Sequence, residues 1–353
     1  MAKITIIGPS EKYVSGISNY TWRVATELKA RPVLYRHMLP SVLFPGRGRV
    51  GKAKTKISYP DTPTYLDYYN PITWIYGIKE IRKCDLFIVE WWSSSVAHML
   101  LFICLLSGRR FVIEAHEVLD PLEQKSFLLN AYGRLARHIL FNKASTVVVH
   151  NTADYESLKY LRLKPDPQII PHAVYDQFEK GDRIWDKTFN ILFFGLIREY
   201  KGIEVLLTSF EALNVPNKRL IIVGENWDRI PIPERSNIMY QNKYVSDKDV
   251  EFYFSQADVL CMPYTRGSAS GVAAIAMHYG LPIVAARVPG IYEQLFDYEG
   301  VYWIDVGDTQ ALTDWLYVIN TKDKKQYKVP DRLTWKRVTE QWEELTEELC
   351  QHT

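Results

Sequence analysis

The chain has 353 residues, 47% hydrophobic and 24% charged, the composition of a globular protein with apolar material for a core in each of two domains. Its formal net charge of +2 gives bulk electrostatics no hold on nucleic acid. Cys84, Cys104, Cys261 and Cys350 form no CxxC pair and three of them lie in apolar runs, so they read as buried free thiols in a reducing compartment and not as a disulfide framework or a zinc site.

The opening MAKITIIGPS enters a strand at Ile4–Gly8 without a signal-peptide pattern, so a soluble, cytoplasmic protein is expected. The loop Gly8–Gly16 then leads into a helix whose Ile17, Tyr20, Val24 and Leu28 share one stripe. Strand, loop and helix N-terminus together favour an anion, and Gly16 lets the backbone approach it closely. Any α/β domain has such a loop, so this signal is weak alone. The sequon Asn19-Tyr20-Thr21 falls on that helix and is read as without consequence. From Lys29 to Pro60 there are eight Lys/Arg residues and no acid. The plain reading is a solvated basic loop; the sharper one is a surface for acidic lipid or a phosphorylated acceptor. Inside it GRGRVG, Gly46–Gly51, spells GxGxxG, but Pro45 precedes it and no helix follows, so it is rejected as a dinucleotide fingerprint.

Short, nearly continuous apolar runs follow at Leu86–Glu90, Phe111–Ala115 and Thr146–His150, as suits central parallel strands covered on both faces. Val96–Leu106 is apolar but too short to span a bilayer. His116, with Glu117, stands just beyond a strand, where a histidine can bond donor or acceptor, although a lone histidine is more often structural. The basic and apolar helical region Leu122–Lys143 could rest on a membrane surface. The polar, proline-bearing stretch Leu163–Lys187 is placed as the interdomain linker.

A βα unit starts afresh at Asn190. The strand Ile191–Gly195 leads through LIREYKG to a helix with Ile203, Leu206, Leu207, Phe210 and Leu213 on one stripe. Arg198 and Lys201 therefore sit at the carboxyl end of a strand, where open α/β sheets bind ligands and where a departing pyrophosphate would need positive charge. Two surface cations are the bland alternative. After the strand Leu220–Gly224, Ser246 can cap a helix, so the DxD of Asp247-Lys248-Asp249 is read as helix-start acids and not as a metal site. Beyond Val259–Met262, the turn GSASGV, Gly267–Val272, opens a helix of small residues and would offer the N–H groups of Ser270, Gly271 and Val272 to phosphate. Gly280 before Pro282 stops that helix, and Pro282–Ala286 forms another strand. A last helix carries Trp335, Val338, Trp342, Leu345 and Leu349 on one side and needs a surface to cover.

These pieces, in this order, resemble the glycosyltransferase family 4 group of retaining GT-B enzymes. The segments that match are GISNYTWRVATEL, EAHEVLD, VVVHNTADYESL, IIPHAV, ILFFGLIREYKGIEVLLTSF, LIIVGE and ADVLCMPYTRGSASGVAAIAMHYGLPIVAARVPGIYEQL. The resemblance implies two Rossmann-like domains with parallel sheets facing across a cleft: residues 1–167 for the acceptor, 168–334 for the donor, and the helix from 335 to 353 packing back on the first. It implies retaining transfer of a sugar from a nucleotide-diphosphate donor to a glycan, a lipid-linked compound or another hydroxyl acceptor, with no cofactor and no metal, by a cytoplasmic protein that could touch the inner face of the membrane. Carried over by position, His116 would stand at the sugar, Arg198 and Lys201 at the diphosphate, and Gly195, Ser270, Gly271 and Val272 beside the donor phosphates. Gly16 would lie near the phosphate from the first domain, with Glu225 and Tyr244 near the nucleoside. Two departures stand out: Gly267 and Ile275 occupy the positions of a glutamate pair common in the family, as in members with an SGV-type turn, and Leu196 replaces the usual arginine after FFG. A nucleotide-sugar epimerase and an inactive sugar-nucleotide binder are the alternatives.

Overall fold

The computed structural model describes residues 2–10, 16–37, 65–91, 94–116, 118, 127–181, 188–243, 245–267 and 269–351. Most of the basic stretch, with Gly46–Gly51, and also Glu117 and Tyr244, lie outside the described residues. The chain divides into two units, one formed by Met1–His172 with Trp335–Thr353 and the other by Ala173–Thr334.

In the first unit the strands are β1 (Ile4–Pro9), β2 (Arg31–His37), β3 (Tyr65–Asp67), β4 (Leu86–Trp91), β5 (Arg110–Ala115), β6 (Thr146–Val149) and β7 (Pro167–Ile169). They make one sheet in the order β3-β2-β1-β4-β5-β6-β7, parallel throughout. The helices are α1 (Gly16–Glu27), α2 (Pro71–Ile81), α3 (Ala97–Leu106), α4 (Phe127–Lys143) and α5 (Thr152–Tyr160). β1 and β4 are buried along their whole length, which is why they read as unbroken apolar runs. Strand order turns around between β1 and β4, and crevices beyond the carboxyl ends of strands open at such a point. Gly8 closes β1 tightly: a Cβ there would meet Thr21 Cγ2 at 2.5 Å and Glu90 Cγ at 3.0 Å. Only glycine lets α1 sit this close to the strand end with Glu90 beneath it.

The second unit contains β8 (Phe189–Phe194), β9 (Lys218–Val223), β10 (Ile238–Gln241), β11 (Val259–Met262), β12 (Ile283–Ala286) and β13 (Val301–Ile304). Their order is β10-β9-β8-β11-β12-β13, again parallel, so the turnaround falls between β8 and β11. Its helices are α6 (Ile203–Ala212), α7 (Asp247–Gln256), α8 (Gly271–Tyr279), α9 (Pro289–Leu295) and α10 (Thr309–Thr321). α7 begins in a capping box: Ser246 Oγ accepts the Asp249 N–H at 3.3 Å and Asp249 Oδ2 accepts the Ser246 N–H at 3.2 Å. Asp249 of the DxD triplet thus works as a cap. α8 stops at Gly280, whose φ of 69° is left-handed and whose N–H reaches Ala276 and Met277 carbonyls.

The final helix, α11 (Trp335–Gln351), belongs to the first unit, where it buries Trp335, Val338, Trp342 and Leu345. It packs against β4, and Arg110 Nη1 donates to the Leu349 carbonyl at 2.6 Å. The stretch expected as linker, Leu163–Lys187, contains β7, an edge strand opened by Pro167 with two exposed residues after it. All four cysteines are free, three of them buried.

Candidate active site

The loop after β8 and the turn before α8 leave neighbouring strands at the turnaround of the second sheet. Gly195 ends β8 with φ 96°, a conformation that favours glycine. A Cβ on it would lie 3.1 Å from Lys201 Nζ and 3.3 Å from Val272 Cγ2, so the ammonium and the first turn of α8 abut the same glycine. Gly202, φ 66°, lets the loop press on β11: a Cβ would come within 2.0 Å of the Pro263 carbonyl oxygen.

Lys201 is 8% exposed. Its Nζ lies 5.2 Å from the Tyr264 ring centre, and no acid or hydrogen-bond acceptor is paired with it among the described residues. Burial holds its pKa below the ordinary lysine value; Tyr200 pulls it back up and the nearby charge of Arg198 lowers it further. Buried charges are normally paired, so an isolated buried ammonium calls for an anion.

At the α8 N-terminus the N–H groups of Gly271 and Val272 have no partner among the described residues. Ser270 differs from expectation. Its N–H donates to Gln294 Oε1 at 2.7 Å, and Gln294 Nε2 donates back to the Ser270 carbonyl at 3.1 Å. Ser270 Oγ accepts from Ala273 as the N-cap. The residue fixes the turn and leaves two amides, not three, for a ligand. Gly271 is needed for room, since a Cβ would sit 2.8 Å from Tyr175 Cε2.

Arg198 is placed otherwise. Its Nε donates to Asp228, with Oδ1 at 2.8 Å and Oδ2 at 3.0 Å, and its guanidinium carbon lies 5.7 Å from the Trp227 ring centre. Asp228 Oδ2 also accepts the Glu199 N–H at 2.9 Å. Arg198, Glu199, Tyr200, Asp228, Thr265 and Arg266 line an open pocket of about 590 Å³, whose lining excludes Lys201 and the 270–272 turn. The two predicted cations are thus close enough to feel each other and yet face different spaces. Glu225 is buried just past β9, with its carboxylate accepting the Trp227 indole N–H at 3.0 Å. Asp228 and Gln294, which orient these groups, were not singled out from the sequence; no local motif marks them.

In the first unit Gly16 is the first residue of α1. His116 follows β5, and both of its ring nitrogens are engaged inward. Nε2 lies 2.5 Å from Glu90 Oε2 and Nδ1 lies 3.2 Å from His150 Nε2. His150 Nδ1–H donates to the Ile170 carbonyl at 2.9 Å. Glu114, the register partner of Glu90 on the adjacent strand, places Oε1 3.7 Å from His150 Nε2. Neither Glu114 oxygen has a hydrogen-bond partner; Tyr20 and Glu90 stand near enough to influence its titration but outside bonding geometry. Tyr20 lies at the centre, its ring 5.5 Å from that of His116, 5.4 Å from His150 and 4.2 Å from His172. Burial pushes Glu90 up to about 8, raises Glu114 and holds both His116 and His150 down at about 3. Sequence reading reached His116 but missed Glu90, Glu114 and His150. The available signal was an acid inside each of two otherwise apolar strands, since buried glutamates are rare without a partner.

Residues 188–318 match the family model described as Glycosyl transferases group 1. An uncharacterized 41.2 kDa protein in the cps region of Klebsiella pneumoniae is 31% identical over 117 residues, covering 33% of this chain and 32% of that protein. A D-inositol 3-phosphate glycosyltransferase of Pseudarthrobacter chlorophenolicus is 24% identical over 238 residues, covering 63% of this chain and 55% of that protein. The chain therefore matches about a third and about half of the length of these curated relatives. Among solved structures, Anabaena HepE in complex with UDP and glucose superposes with a TM-score of 0.70 at 14% identity, over 99% of this chain and 100% of that one. Fold and family match agree on the half of the molecule that carries Lys201 and the α8 turn: the chain has the GT-B fold, and residues 188–318 of its second unit are similar to the glycosyl transferases group 1.

Proposed function

We propose that the protein transfers a sugar from a nucleotide-diphosphate sugar to a hydroxyl acceptor, a glycan or a lipid-linked compound, with retention and without a metal ion at the reacting centre. The observation that carries this reading is Lys201, a buried ammonium without an anion beside two unpartnered amides at a helix N-terminus. A diphosphate supplies the missing negative charge, and its charge grows as the glycosidic bond to the sugar breaks, so the same contacts favour the transition state over the bound donor. Lys201 would neutralise one phosphate while Gly271 and Val272 hold another through N–H groups. Arg198 would add a second cation by exchanging Asp228 for the ligand, which makes Asp228 its resting counter-ion. Glu225 would sit toward the nucleoside. Gly16 would belong to the first unit's share of the site, and His116, with both ring nitrogens engaged by Glu90 and His150, would support that share from within the fold. UDP in the Anabaena relative supports the nucleotide-diphosphate class.

Thermal-shift titration with nucleoside diphosphates tests the reading, because a ligand that binds only the folded chain raises its melting temperature. Wild type should respond to at least one of them. Lys201→Ala should lose most of that response, about tenfold or more in affinity if one charge-assisted contact disappears. Full binding and transfer by Lys201→Ala would sink the assignment.

A further inference from the structure

The cluster below the carboxyl edge of the first sheet gathers Glu90, Glu114, His116 and His150 in one place, with Glu90, Glu114 and His150 buried. The Ile170 carbonyl can only accept, so His150 carries its proton on Nδ1 and turns the lone pair of Nε2 toward His116 Nδ1, 3.2 Å away. With Glu90 protonated, as burial favours, its O–H donates to His116 Nε2 and His116 Nδ1–H donates to His150; with Glu90 a carboxylate, His116 carries its proton on Nε2 and presents a second lone pair on Nδ1. Two lone pairs then face each other with the unpartnered Glu114 carboxylate beside them, 3.7 Å from His150 Nε2. In that ionised state the three acceptors need a positive charge between them. Among the described residues no lysine or arginine pairs with Glu90 or Glu114.

We propose that Glu114 Oε1, His116 Nδ1 and His150 Nε2 form a structural divalent-cation site of zinc type. One ligand atom from each of these three residues lies within 4.8 Å of the other two. Tetrahedral zinc with bonds of about 2.0–2.1 Å sets its ligand atoms about 3.3 Å apart, near the spacings of 3.2 and 3.7 Å seen here. Each histidine also has the outer partner that a metal-bound imidazole requires: Glu90 on His116 Nε2–H, and the Ile170 carbonyl on His150 Nδ1–H. Two imidazoles and a carboxylate suit zinc better than magnesium or calcium, which prefer all-oxygen sets. Glu90 Oε1 and the Tyr20 hydroxyl, both buried without a hydrogen bond, are the groups available to complete the shell. Glu90 and Glu114 together would balance the two positive charges of the ion. The ion would tie β4, β5 and the end of β6 together, within the unit that does not contain Lys201.

The full chain, produced without added metal-affinity chemistry, should carry about one zinc per molecule by elemental analysis after dialysis. Removal by a strong chelator should lower its melting temperature, zinc should restore it, and cobalt in its place should give visible absorption bands. Glu114→Gln and His150→Ala should lose the ion. Should those variants fail to fold, the chelation and cobalt experiments on the unaltered chain decide alone. Zinc-incubated chain that retains no metal after dialysis, gives no cobalt spectrum and melts identically with and without chelator overturns the proposal and assigns the gap between the rings to a proton, passed as Glu90 O–H to His116 and His116 Nδ1–H to His150. Nucleoside-diphosphate binding measured on the metal-stripped chain reports on Lys201 separately, so the two readings fail independently.

Discussion

Lys201 sits in a place that most lysines avoid, and its chemistry follows from that. Burial lowers its folded pKa, so between that value and the ordinary lysine value of about 10.4 the unfolded chain binds the extra proton. The cost of the buried charge is complete below the folded pKa and is gone only above the unfolded one, so this residue makes stability rise with pH through the window between them. Ligand binding runs the other way. An anion raises the Lys201 pKa again, so binding takes up a proton and affinity falls as pH rises past the free-state value. Calorimetry of nucleoside-diphosphate binding in buffers of different ionisation heat should detect that uptake in wild type and not in Lys201→Met. An unchanged proton count in the variant would assign the uptake to another group. Gly195 and Gly271 act at the same scale by absence: a methyl group on either would run into Lys201 and Val272, or into Tyr175.

At the scale of elements, the sequence reveals what is buried on both faces. All eight strands expected from apolar runs are present, and β8 and β11 at the centre of the second sheet are among them. β2, β3, β7, β10 and β13 escaped notice. Four of these are sheet edges, where exposed or half-exposed polar residues such as Gln168 and Gln241 break the apolar pattern. The same contrast holds for the site. Lys201 and the 270–272 turn were legible because each follows a central strand directly. Glu90 and Glu114 were not, since their pairing is a matter of register between β4 and β5, and no local spacing encodes it. The N-cap contact of Asn70 with the Ile72 N–H at 3.1 Å, followed by Pro71, starts α2, whose outer face then exposes Ile72 at 62%, Ile75 at 49% and Tyr76 at 56%, with Lys79 5.4 Å from the Tyr76 ring centre. We propose this apolar and basic face as the surface that meets an anionic membrane when the acceptor is lipid-linked. Co-sedimentation with phosphatidylglycerol vesicles should capture wild type at low salt and should weaken several-fold in Ile72→Asp with Ile75→Asp. Equal recovery of both proteins in the supernatant would rule the face out.

For the molecule as a whole, α11 matters most. Trp342, at 1% exposure, joins β4, Tyr20 and the first core from the far end of the chain. Trp342→Ala should cost about 3–5 kcal/mol, as for large aromatic truncations elsewhere, and urea unfolding monitored in the first unit should show it. A loss under 1 kcal/mol would mean that α11 is a passive cover. Contact between the two passages of chain at the unit boundary is direct: the Val174 N–H donates to the Leu333 carbonyl at 3.0 Å. During synthesis this layout delays completion. The unit that leaves the ribosome first lacks its closing helix until the whole of the other has been translated, and its apolar seat for Trp342 stays open for that interval. A nascent chain is therefore most dependent on chaperones while residues 173–334 emerge, when the unit that contains β1–β7 still lacks Trp342.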